Sequence, residues 1–90
     1  MAKSLTDEQV QARIEELEQE ERRLRRDESE AAEADVDDQV ARDAQRLEEI
    51  RVDLDQLWDY LRQRRALRDA GQDPDNAQIR DPNTVERYWG

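Results

Sequence analysis

Cysteine, histidine and phenylalanine are all absent from this 90-residue chain. Without cysteine, no disulfide or thiolate metal site can staple a small fold together. Without histidine as well, carboxylates are the remaining candidates for a tuned acid or base. Long apolar runs are missing too. The opening "MAKSLTDEQV" has no stretch of signal-peptide type, and nothing approaches the roughly 20 apolar residues of a membrane span, so a soluble, cytoplasmic protein is expected. Hydrophobic residues make up 34% of the chain and charged residues 44%, against about 45 to 50% and about 25% in ordinary globular domains. That bias fits long exposed helices. A net charge of −10 argues against a general attraction to nucleic-acid phosphates or anionic lipid, so any such contact must be local.

What the chain does contain is helical periodicity. Thr6 and Gln9 have the spacing of a capping box, with Leu5 and Val10 at the two positions of a hydrophobic staple, so a first helix is expected from about 7 to 28. Its apolar stripe is Val10, Ile14, Leu17 and Leu24, with Glu21 completing the heptad pattern. Periodicity then lapses in "DESEAAEADVDD", and an acidic connection is expected over about 29 to 37. A second helix, about 38 to 70, carries Val40, Leu47, Leu54 and Leu61 every seven residues, with Ile50 and Leu57 between them and Asp43 and Arg64 as polar members of that second series. Ala44 and Trp58 widen its stripe. Gly71 suits a left-handed C′ position, and Pro74 cannot continue the helix. In the tail, 71 to 90, Asp81 and Pro82 resemble an N-cap and a first helical residue, opening a turn over about 82 to 88. Ile79, Val85, Tyr88 and Trp89 give that tail apolar groups to bury.

The charge blocks choose an orientation. Residues 1 to 21 hold two bases and seven acids, "RRLRR" (22 to 26) is basic, 27 to 38 is acidic, and 62 to 68 is basic. An antiparallel hairpin lays the acidic start of helix one beside the basic end of helix two, and core positions whose numbers sum to 67 or 68 then face each other. Exposed pairs are worth only about 0 to 1 kcal/mol each, so they select orientation more than they add stability. The fold class expected is all-α: an antiparallel, coiled-coil-like hairpin with a short C-terminal tail. The core expected is Val10, Ile14, Leu17, Leu24, Val40, Leu47, Ile50, Leu54, Leu57 and Leu61. Such a core is small, so dimerisation into a four-helix bundle is expected, with the Ala44 and Trp58 side in the interface. By this register helix two overhangs helix one, leaving Leu61, Leu67 and Tyr60 for the tail to cover.

The segments "ARIEELEQEERRL" (12 to 24), "LDQLWDYLRQRRALRDAGQDPDNAQIR" (54 to 80) and "VERY" (85 to 88) resemble the short, mostly actinobacterial proteins grouped as domain of unknown function 2630. The resemblance is most specific at Leu54, Asp55, Gln56, Trp58, Asp59, Leu61 and the Arg62 to Arg65 run, followed by Gly71, Asp73 and Pro74. Leu57 stands where that pattern has a cysteine, and Arg22 where a histidine is expected near position 22. The resemblance implies a small helical protein with no catalytic residues to carry over.

For function, the composition points to a non-enzymatic module that acts through protein contacts. No catalytic, cofactor or metal residues are assigned. Glu21 and Asp43, both near the core, are the carboxylates able in principle to share a proton or a hard cation. The candidate interaction corner is Trp58, Arg62, Arg64, Arg65, Arg68 and Trp89, where arginines can also pair with Asp69, Asp73, Asp75 or Asp81 to pin the tail. The expected partners are a second copy of the chain and an unidentified protein. The alternative is a nucleic-acid-associated regulator using the cluster at 62 to 68.

Overall fold

Thr6 and Gln9 close the first helix by reciprocal bonds. The Thr6 amide donates to Gln9 Oε1 at 2.9 Å, and the Gln9 amide donates to Thr6 Oγ1 at 3.1 Å. The computed structural model describes residues 5–33 and 37–89, with side chains over 5–26 and 38–85. Its elements are α1 (Asp7–Glu33), α2 (Asp37–Asp69), a one-turn 3₁₀ helix (Pro74–Asn76) and α3 (Pro82–Trp89). No strand occurs among the described residues. Helix α1 thus continues to Glu33, beyond the end expected near 28. The reason is local: glutamate and alanine are good helix formers whether or not they have a core to face, so losing the apolar stripe did not end the helix. Residues 34–36, the remainder of the expected connection, lie outside the described residues.

Helices α1 and α2 pack side by side, and their cross-links fix an antiparallel hairpin. Asp7 at the start of α1 bonds Arg64 and Arg68 near the end of α2, while Glu20 further along α1 bonds Arg46. Val10, Ile14, Leu17, Ile50 and Leu57 are buried between them. Leu24, Leu54 and Leu61 are only partly buried against this cluster, and Val40 and Leu47 are also intermediate. Burial therefore concentrates toward the end of the hairpin that carries both the start of α1 and the end of α2.

The stop after α2 is a Schellman turn. The Gln72 amide donates to the Leu67 carbonyl at 2.8 Å and the Gly71 amide to the Arg68 carbonyl at 3.1 Å, with Gly71 at φ 73°. The tail then doubles back along α2. Asp73 caps the 3₁₀ turn by accepting from the Asp75 amide, and Asp81 accepts from the Asn83 amide at 2.8 Å ahead of Pro82. Ala77 and Val85 are buried, and Ala77 joins the main cluster with Tyr60, itself only 3% exposed. Two expectations for the tail need correction. Ile79 is half exposed rather than buried, and Leu61 stays only partly buried, in a groove that includes no tail residue. The side chains of Tyr88 and Trp89 lie outside the described residues. Among the described residues, no helix is long and apolar enough to cross a membrane.

Candidate functional site

Helical spacing divides the arginines of 62 to 68 into two sets: Arg62, Arg65 and Arg68 recur every three residues along one side, and Arg64, seven residues after Leu57, falls on the seam with α1. Arg64 turns inward and is 6% exposed. Its guanidinium bonds the Asp7 carboxylate, the Pro74 carbonyl at 3.2 Å and Asp75 Oδ1 at 3.0 Å, tying α1, α2 and the tail at one point. Arg68 takes the other Asp7 oxygen at 2.8 Å. The hydrogen bonds from Arg64 and then Arg68 hold the Asp7 carboxyl below the usual aspartate range, and Asp7 in turn raises Arg64 above an ordinary arginine. Tyr60 completes this end of the hairpin. Its hydroxyl accepts from the Leu5 amide at 3.1 Å and donates to the Leu5 carbonyl at 3.3 Å.

Sequence reasoning missed a second knot. Asp59 is completely buried, and both its oxygens are gripped by Arg80 from the tail, at 2.7 and 2.8 Å. Arg62 and Gln63 add bonds of 2.9 Å each. Burial opposes the charge on Asp59, yet the bonds from Arg80, Gln63 and Arg62 outweigh it and the carboxyl stays below its ordinary range. Gln63 also clasps the backbone of Gln78, donating to its carbonyl at 2.7 Å and accepting from its amide at 3.2 Å. Gln56 donates to the Arg80 carbonyl at 3.0 Å. The local half of this knot was readable, since Arg62 and Gln63 follow Asp59 at helical spacing. Arg80 had no such signal. Of the aspartates expected to pin the tail, Asp75 does so through Arg64; Asp73 and Asp81 spend their side chains capping the turns they open, and Asp69 is exposed.

The candidate corner is therefore smaller than the sequence suggested. Arg64 is removed from it by burial, and the Trp89 side chain lies outside the described residues. Trp58, 45% exposed, remains with Arg62, Arg65 and Arg68 in a groove of about 300 Å³ completed by Leu61, Asp7 and Gln11. Arg62 and Arg68 each keep about half of their side chains in solvent while bonded to Asp59 and Asp7. Arg65 has no ion pair among the described residues and is exposed. Indole, aliphatic carbon and guanidinium side by side, with two guanidiniums already oriented by carboxylates, make a surface suited to binding.

Glu21 and Asp43 do not form a joint site. Glu21 pairs with Arg25 on its own helix at 3.5 Å. Asp43 is 4% exposed, with Oδ1 accepting from Gln39 at 2.8 Å and Oδ2 unbonded. Among the described residues no cluster of three or more acidic side chains could hold a metal ion.

Fold and surface together define a small acidic helical hairpin whose tail is locked back onto its second helix by ion pairs to two buried residues of that helix, Asp59 and Arg64. The chain belongs to the family described as Protein of unknown function (DUF2630), whose family model matches residues 6–89. It is 41% identical over 85 residues to uncharacterized proteins of Mycobacterium bovis and Mycobacterium tuberculosis, covering 94% of this chain and 92% of theirs. No solved structure gives a significant match.

Proposed function

We propose that this protein is a non-enzymatic interaction module and that its docking surface is the groove between Trp58 and Arg68. One observation carries the reading: the largest exposed aromatic side chain among the described residues stands beside three outward arginines on a molecule that is otherwise strongly acidic. Tryptophan and arginine are the residue types that dominate protein-interface energetics, and here they sit on a rigid helix end rather than on a mobile loop. The complementary partner is a protein segment that offers an apolar side chain to Trp58 and Leu61 and carboxylates to Arg65 and Arg68. Asp7 in the groove and the acids around it disfavour a long polyanion, which would meet them on either side of the patch.

The test is a titration of the Trp89→Phe chain followed by Trp58 fluorescence. The probes are a short helical peptide of leucine and glutamate and, separately, a short single-stranded DNA. The reading expects saturable peptide binding that weakens about tenfold or more in Arg65→Glu. Binding of the DNA alone, with a steep loss on added salt, would instead support the nucleic-acid alternative.

A further inference from the structure

A second groove, of about 280 Å³, lies on the opposite side of the seam between α1 and α2. At about 100° per residue, Asp7 and Gln11 flank the buried line Val10, Ile14, Leu17 on one side, and Arg13 flanks it on the other. This groove is apolar at its base. Leu17 and Leu57 form its floor, and Leu5 (37% exposed) and Ile79 (50% exposed) line it. These last two are, with Trp58, the exposed large hydrophobic residues among those described. Arg13 on α1 and Asp53 on α2 complete the lining with one charge of each sign. Asp53 has no ion pair among the described residues, and Arg13 has only the exposed Glu16 at 3.3 Å.

Seven residues further along α1 the signs reverse: Glu20 on α1 is bonded to Arg46 on α2 at 2.6 and 3.0 Å. The face therefore reads positive against negative at the level of Arg13 and Asp53, then negative against positive at Glu20 and Arg46. A face of this kind is self-complementary. A two-fold axis running along the hairpin lays each α1 over the other copy's α2 at the same level. Arg13 then meets Asp53 and Glu20 meets Arg46, and apolar groove covers apolar groove. A two-fold across the hairpin cannot do both. Centred on the groove, it stacks Arg13 on Arg13; shifted along to bring Arg13 over Glu20, it slides the apolar groove onto the polar stretch beyond Leu17.

We infer that this groove is the contact surface for a second copy of the chain, related by a two-fold axis parallel to the helices. The contact differs from the one expected from sequence, which used the Ala44 and Trp58 side. It leaves both Trp58 grooves on the outside of the dimer, and it does not depend on what those grooves bind.

The experiment is sedimentation equilibrium of the full chain over a wide concentration range, with helicity followed in parallel. The wild-type chain is expected to dimerise. Arg13→Asp alone and Asp53→Arg alone should each weaken the dimer by about tenfold or more, since each places two like-charged pairs across the axis. An equimolar mixture of the two variants should regain it. In the mixed dimer the aspartate introduced at position 13 of one chain meets the arginine introduced at position 53 of the other, and the native Asp53 of the first meets the native Arg13 of the second. The milder Arg13→Gln and Asp53→Asn should each weaken the dimer less than the reversals do, and mixing them should recover it only in part, because the mixed dimer regains one of the two Arg13–Asp53 contacts, which separates charge pairing from any effect on the fold. A wild-type chain that stays monomeric, a dimer indifferent to both charge reversals, or a mixture that fails to recover would each overturn the inference.

Discussion

The two ends of the hairpin treat buried charge in opposite ways. At the tail end, Asp59 and Arg64 are buried, and their charged groups are taken up by partners from the tail, from α1 or from their own helix. Toward the connection, Asp43 is buried nearly as deeply with one oxygen unbonded, and the neighbouring aliphatics Leu24, Val40 and Leu47 are only partly covered. The difference shows what the tail contributes. A two-helix hairpin has one buried seam and cannot surround a side chain; a third segment laid against α2 supplies the missing wall and donors. That third segment exists at one end only, and the Trp58 groove lies at that end.

The strongest way to break this contrast is Asp59→Ala. It removes the carboxylate that holds Arg80 and Gln63 and so loosens the tail at its middle, leaving the Arg64 contacts with Pro74 and Asp75 in place. A loss of about 3 kcal/mol is expected in a urea melt, at the low end for a broken buried pair because Arg80 reaches solvent. Stability unchanged by that substitution would mean the tail is not a structural element. Acid probes the same knot without mutation. The Asp59 and Asp7 carboxyls sit below their unfolded value of about 3.9, so their contribution is complete above that value and disappears as pH falls through the folded ones. The melting temperature should therefore hold from neutrality to about pH 5 and drop below about pH 4, and the drop should be shallower in Asp59→Ala.

At the other end the sign reverses. Asp43→Leu removes a buried, half-bonded carboxylate from a heptad position and should stabilise the chain by about 1 kcal/mol, measured by the same melt. A loss there would show that Asp43 has a partner outside the described residues. The smallest effect expected is at the turn that starts the tail. A Cβ on Gly71 would meet nothing within 4 Å, so Gly71→Ala costs only the positive φ, about 1 kcal/mol. A larger loss would show that the turn also sets the tail's register.

Local chemistry made much of this fold legible. The Thr6 and Gln9 box, the Gly71 stop and the Asp81 and Pro82 start each depend on residues a few positions apart, whose bonding is nearly the same in any protein. Antiparallel pairing was legible as well, from heptad spacing and charge blocks. The candidate site was legible only in part. Trp58, Arg62, Arg65 and Arg68 stand together as helical neighbours, and the heptad series through Ile50 and Leu57 sets Arg64 apart from Arg65, but nothing local showed that its charge would be buried. A charge on the seam is buried only if it finds partners, and those of Arg64, Asp7 and Asp75, arrive from elsewhere.

The amino-acid order alone thus settled where the helices begin and end at their capped termini, how they run relative to each other, and that charge would gather at the α2 terminus. Each of these follows from interactions within a turn or two, or from a periodicity summed over a whole helix. Which side of α2 receives the tail, and with it the burial of Asp59 and Arg64 and the exposure of Ile79, was settled in three dimensions. Arg80 reaches Asp59 across 21 positions and Arg64 reaches Asp7 across 57. At such separations a lysine, an arginine or an aspartate says only that it needs a partner, and packing chooses which one it gets.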